Sequence, residues 1–169
     1  MSDQVKRFIR VDHAGEYGAA RIYAGQLAVL GRSSYAGQLE HMKAQEQVHL
    51  DAFAEMIAKR RVRPTALLPF WHVAGFALGA VTAALGSEAA MACTVAVEEA
   101  IDEHYTAQRA ALGEDEAALS ATVEKFRQEE LEHRDIALAN GAKRAPGYKL
   151  LSGFIRAGCR AAIRLSEVV

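Results

Sequence analysis

Ala44-Gln45-Glu46-Gln47-Val48-His49-Leu50 decides how this chain folds, because its Glu-x-x-His spacing returns in Glu129-Glu130-Leu131-Glu132-His133-Arg134. Residues i and i+3 share a helix face, so each pair can grip one metal ion from one side. Upstream of each pair stands a lone glutamate, Glu16 lying 30 residues before Glu46 and Glu98 lying 32 before Glu130. Four carboxylates and two histidines drawn from four helices form the ligand set of a di-iron or di-manganese carboxylate bundle. A single Glu-x-x-His arises by chance in helices. Two copies, each with its upstream glutamate, carry far more weight.

Helical periodicity places these residues. A first segment, from about Asp3 to Leu30 before Gly31, has a seam through Ile9, His13, Glu16, Ala20, Tyr23, Leu27 and Leu30. A second starts near the cap-forming Ser33-Ser34 and runs to about Arg60, with Leu39, Met42, Glu46, His49, Phe53 and Met56 on one face. A third follows Gly86-Ser87 and ends near Gly113, its seam including Met91, Glu98, Tyr105 and Leu112. The fourth spans about Asp115 to Ala139, with Val123, Phe126, Glu130, His133 and Ala137 in line and Asn140-Gly141 as a stop. A last helix, about Tyr148 to Glu167, follows Pro146-Gly147. The expected fold is all-α: one ferritin-like four-helix domain over residues 1–169, with an apolar crossover segment and a C-terminal helix.

All six candidate ligands fall on the apolar stripes of their helices. A buried, unpaired carboxylate costs several kcal/mol unless its charge is compensated. Six polar residues at core positions, symmetrically placed, point to a shared compensating charge. Two divalent ions balance four glutamates, leaving a neutral core.

Composition bounds the rest. At 169 residues the chain can bury one substantial core, and 51% hydrophobic content with three prolines suits helices. A net charge of −1 offers no basic surface for nucleic acid. Cys93 and Cys159 have neither CxxC nor disulfide-scaffold spacing, which fits a reducing, intracellular compartment. The N-terminal residues lack an apolar or Arg/Ser-rich leader pattern, so no signal or transit peptide is expected.

Thr65 to Ser87 contains no formally charged residue and follows the basic cluster Lys59, Arg60, Arg61 and Arg63. Two readings stand. One is interfacial membrane contact, with Trp71 at headgroup level and the arginines meeting anionic lipid. The other is a buried crossover between the two halves of the bundle. In the last helix Arg156, Arg160 and Arg164 form an i, i+4 stripe beside Leu151, Phe154, Ile155, Ile163 and Leu165. That pattern suits either a membrane surface or packing on the bundle with a solvated arginine face.

Several side chains compete for roles. Glu98 is preferred over Glu99 because it shares a seam with Tyr105, and Glu130 over Glu129 and Glu132 because it alone stands three before His133. Glu129 suits a different task, accepting the outer N–H of a ligand histidine. Asp12 and Asp102 are either partners of the ligands or exposed. His13, three before Glu16, has no counterpart before Glu98 and reads as a satisfied core or rim histidine. His41 and His72 read as exposed or structural. Tyr105 donates a proton, relays an electron or packs. Carboxylates and imidazoles without thiolates suit iron or manganese and oxygen activation.

The chain strongly resembles the 5-demethoxyubiquinone hydroxylases of ubiquinone biosynthesis. The resemblance rests on Arg10-Val11-Asp12-His13-Ala14-Gly15-Glu16-Tyr17-Gly18-Ala19, Arg21-Ile22-Tyr23-Ala24-Gly25-Gln26 and Arg61-Val62-Arg63-Pro64-Thr65. It rests also on Ala90-Met91-Ala92-Cys93-Thr94-Val95-Ala96-Val97-Glu98-Glu99, His104-Tyr105 and the Glu129–His133 string. It implies a di-iron monooxygenase hydroxylating the ring of a polyprenylated demethoxybenzoquinol, with O2 as co-substrate and NADH or the quinol as reductant. Glu16, Glu46 and His49 are then expected on one side of the iron pair and Glu98, Glu130 and His133 on the other, with Glu46 and Glu130 bridging. The long prenyl tail gives Thr65–Ser87 a purpose in docking to lipid. By analogy with mitochondrial members, the Trp71 region is expected to meet a lipid-binding partner protein. The implied location is the cytoplasmic face of a bacterial inner membrane, or the mitochondrial matrix face for a processed chain.

Overall fold

Helices α1 (Asp3–Leu30), α2 (Ala36–Arg60), α3 (Leu68–Ala84), α4 (Ser87–Ala111), α5 (Ala117–Ala139) and α6 (Tyr148–Val168) make up the computed structural model, which describes residues 2–169. Short 3-10 turns at Glu114–Glu116 and Ala142–Arg144 lead into α5 and α6. Local chemistry sets the ends. The Ser2 hydroxyl accepts the Val5 N–H at 3.2 Å and opens α1. Pro69 sits in the first turn of α3, where its missing N–H costs nothing. Gly86, Gly141 and Gly147 take positive φ at the corners between helices. Ser33-Ser34 does not cap α2 as expected: the helix begins at Ala36 without a side-chain cap. Ser33 is instead committed to the corner, donating to the Leu30 carbonyl at 2.7 Å and accepting the Tyr35 N–H at 3.2 Å.

The short corners fold α1 with α2 and α4 with α5 as hairpins, and the hairpins pack together into a ferritin-like bundle. Two apolar clusters fill its ends. Tyr23, Leu39, Met42, Met91, Val95 and Ala137 form one. Val5, Ile9, Phe53, Leu119, Val123 and Phe126 belong to the other. The six candidate ligands lie between these clusters along the helices, walled off from water at both ends.

The uncharged segment becomes α3, which crosses between hairpins against α1. Glycine makes the contact close. A Cβ at Gly25 would strike the Phe76 carbonyl oxygen, and one at Gly79 the Ile22 carbonyl oxygen. Burial is one-sided: Gly75, Gly79, Thr82 and Ala83 are buried, while Phe70, Val73 and Val81 are more than half exposed. The buried-crossover reading is thus corrected, since α3 turns an apolar face outward. No described helix is long and apolar enough to cross a membrane.

Helix α6 lies on α4 and α1. Arg156 pairs with Glu99 at 2.6 Å and Arg160 with Glu103 at 2.8 Å, both on α4. The reading of α6 as packed on the bundle with a solvated arginine face fits this arrangement, since Arg160 and Arg164 stay exposed. Leu150 and Phe154, 82% and 80% exposed, also face outward.

Candidate metal centre

Glu16, Glu46, His49, Glu98, Glu130 and His133 meet in the middle of the bundle, none more than 1% exposed. They form two four-residue groups whose ligand atoms lie within 4.8 Å of one another. One group is Glu16, Glu46, His49 and Glu130. The other is Glu46, Glu98, Glu130 and His133, so Glu46 and Glu130 are common to both. Each histidine turns Nδ1 inward: His49 Nδ1 is 3.0 Å from Glu130 Oε1, and His133 Nδ1 is 3.2 Å from Glu46 Oε1 and Glu130 Oε2.

A metal pair fits these residues. Among the described residues no hydrogen-bond partner serves Glu16 Oε2, Glu98 Oε2, either oxygen of Glu46 or Glu130, or Nδ1 of His49 or His133. Those eight atoms are what two four-ligand positions need when two glutamates give one oxygen to each. Buried polar atoms without partners are rare, and a bound cation is a standard explanation.

Without cations the charge is frustrated. Burial first, then the Glu130 carboxylate, pushes Glu46 and Glu98 well above the usual carboxylate range. Glu16 is also raised, chiefly by burial. Burial works against a charged His49, but the Glu130 and Glu16 carboxylates push it up to about 11. Against its own burial, Glu130 is held down to about 2 by His133 and His49.

The groups behind the ligands follow a repeat. Tyr23 on α1 donates to Glu98 on α4 at 2.7 Å, and Tyr105 on α4 donates to Glu16 on α1. Each tyrosine stands seven residues after its own helix's glutamate, and the α1 and α4 positions are offset by 82. At the same offset, Gln26 donates to Thr94 Oγ1 at 3.3 Å and Gln108 to Asp12 Oδ2 at 2.8 Å. The α2 and α5 positions are offset by 84. There Nε2 of His49 meets Glu129 Oε2 at 2.7 Å, and Nε2 of His133 meets Gln45 Oε1 at 2.9 Å. The role expected for Glu129 matches this contact. Tyr23, Gln45 and Gln108 had not been singled out by sequence, although the paired offsets point to them.

Asp12 is buried and shared by Gln108 and His104 Nε2, the latter at 3.0 Å. Asp102 lies outside the centre, paired with Arg127 at 2.6 Å. His13 joins neither group; it is buried, its Nδ1 has no partner, and burial lowers its pKa. That corrects the expectation of a satisfied histidine. His41 is exposed, and exposed His72 bonds Tyr17 at 2.7 Å.

An apolar groove of about 230 Å³ runs between α3 and α6 over α1 and α4. Gly15, Gly18, Trp71, Leu78, Phe154 and Ile155 are among its walls. A smaller recess of about 30 Å³ shares Val11, Gly15, Ile101 and Ile163 with it and reaches Asp12, Glu16, His104 and Tyr105. Apolar surface therefore leads to the edge of the Glu16 side of the centre.

The chain's sequence matches known proteins over nearly its whole length. The profile of the family described as "Ubiquinone biosynthesis protein COQ7" matches residues 3–166. A 3-demethoxyubiquinol 3-hydroxylase of Rhodospirillum rubrum is 63% identical over 166 residues, covering 98% of this chain and 78% of its own. A mitochondrial NADPH-dependent 3-demethoxyubiquinone 3-hydroxylase of Bos taurus is 57% identical, with 98% and 78% covered. A mitochondrial 5-demethoxyubiquinone hydroxylase of Saccharomyces cerevisiae is 40% identical, with 95% and 76% covered. A match through nearly the whole length, with the paired carboxylate–histidine groups in place, makes this chain a member of the COQ7 family of ubiquinone biosynthesis proteins.

Proposed function

We propose that this protein, as one ferritin-like domain over residues 1–169, is a di-iron monooxygenase that hydroxylates the ring of a polyprenylated demethoxybenzoquinol in ubiquinone biosynthesis. The observation that carries the reading is the pair of four-ligand groups sharing Glu46 and Glu130, with eight inward atoms lacking any other partner. Glu16 and His49 would hold one iron, Glu98 and His133 the other, and Glu46 and Glu130 both. Iron bound there supplies the redox activation of O2.

The chain's own residues do the rest. Tyr105 and Tyr23 fix the outer glutamates, and the Tyr105 hydroxyl holds a proton at the rim of the recess. The groove takes the apolar substrate and excludes water, and the recess brings the ring toward Glu16 and Tyr105. NADH or the quinol itself serves as reductant. Exposed Phe70, Val73 and Val81 of α3 and Leu150 and Phe154 of α6 support docking to a lipid surface. This is peripheral attachment, on the cytoplasmic face of a bacterial inner membrane or the matrix face of a mitochondrial one. Trp71, in the groove wall, is the candidate contact for a lipid-binding partner protein.

Single-turnover product analysis tests the reading. The Fe²⁺-loaded protein is given a short-tailed demethoxyquinone with NADH and then ¹⁸O₂, beside a Glu130→Ala control. The expected product is a hydroxylated quinone carrying one ¹⁸O, absent from the control. Iron oxidation with no labelled quinone would point to a ferroxidase instead, and failure to bind iron would remove the di-metal reading.

A further inference from the structure

The repeat that builds the centre is broken in its outer layer, and the charged replacements at the paired hydrogen-bonding places fall on one side. Around Glu98 and His133 the supporting groups are neutral: Tyr23, Thr94 and Gln45. The equivalent places around Glu16 and His49 hold Tyr105, Asp12 and Glu129. Ile22, the counterpart of His104 at the 82-residue offset, adds no polar group to the first side, whereas His104 bonds Asp12.

The histidine contacts matter most. With Nδ1 turned toward the metal, each ring directs Nε2–H outward. His49 directs it at a carboxylate oxygen 2.7 Å away and His133 at an amide oxygen 2.9 Å away. An anionic acceptor draws the ring proton more strongly, which makes the imidazole a better donor to a cation. It also adds one negative charge near that position. Lys125 Nζ, 3.9 Å from the other Glu129 oxygen, leaves the His49 contact intact.

We infer that the two metal positions are inequivalent by construction, the Glu16–His49 position taking the first and tighter divalent ion, with Glu129 and Gln45 as the positioning residues that set this order. The inference rests on the di-metal reading above. It requires only a divalent ion, not turnover.

Anaerobic Co²⁺ titration of the metal-free full chain tests it, read by ligand-field absorption and by competition with a chelator. Wild type is expected to fill in two steps, the first at least about tenfold tighter. Glu129→Gln keeps an acceptor but removes its charge, and is expected to weaken the first step about 10- to 100-fold, leaving the second in place. Gln45→Glu is expected to tighten the second step and bring the two together. Circular dichroism confirms that each variant is folded. Two equal steps in wild type overturn the inference while sparing the di-metal reading, as do two unequal steps that neither variant moves. Fewer than two equivalents bound by wild type overturns both.

Discussion

Each buried phenol of the centre donates to a glutamate of the opposite hairpin, Tyr23 to Glu98 and Tyr105 to Glu16. Equal contacts predict equal stability costs. Tyr23→Phe and Tyr105→Phe should each destabilise the metal-loaded protein by about 1–3 kcal/mol, read by thermal unfolding. Their effects on catalysis should differ, because the recess reaches Tyr105 and not Tyr23. Quinone hydroxylation should fall about tenfold or more in Tyr105→Phe and much less in Tyr23→Phe. Equal losses would mean that both phenols act only by holding carboxylates. The six candidate ligands were legible in the sequence because a charge on an apolar stripe calls for a partner that compensates it. Tyr23 was not, because a tyrosine on such a stripe is ordinary core. Gln45 stands one residue before Glu46, off the seam, where periodicity carries no signal; Glu129, in the matching place, was legible because a ligand histidine needs an acceptor for its outer N–H.

At the scale of helices, the α1–α3 contact depends on backbone meeting backbone. The methyl of Gly79→Ala would land on the Ile22 carbonyl, which a helix cannot easily yield. The expected cost is about 1–3 kcal/mol. Gly153→Ala, in α6 with open space around it, should instead stabilise by about 0.5–1 kcal/mol. Paired thermal melts check both signs. Helix positions followed closely from sequence; α1 spans the expected segment, from Asp3 to Leu30. The start of α2 did not, because Ser33 bonds back to Leu30 rather than forward into the helix. The side of α3 that packs was also hidden. A segment uniformly uncharged has no polar face to read, and the meeting of Gly25, Gly75 and Gly79 with carbonyls on the opposite helix fixes its orientation.

Over the whole molecule, the centre sets how stability responds to acidity. In the metal-free protein Glu16, Glu46 and Glu98 titrate above their ordinary 4.5, so the folded state binds more protons than the unfolded state above that pH. Stability then falls as pH rises. His49, pushed from 6.5 up to about 11, acts in the same direction across neutral pH. Glu130, near 2, opposes this only below 4.5. Melting temperature with chelator present should therefore drop between pH 5 and pH 8, at roughly constant salt. With Co²⁺ bound the drop should vanish or reverse, since cations compete with protons for the same atoms. A metal-free protein that gains stability over this range would contradict the buried charges described. The two hairpins joined by α3 carry a further meaning. Two separate copies of one hairpin, paired about a twofold axis, would bring together the same six candidate ligands but would have to bear identical residues at equivalent places. A single polypeptide is released from that rule: Glu129 can face Gln45, Asp12 can face Thr94 and His104 can face Ile22 across the axis. The crossover helix is thus the element that lets a symmetric scaffold evolve an entrance on one side only.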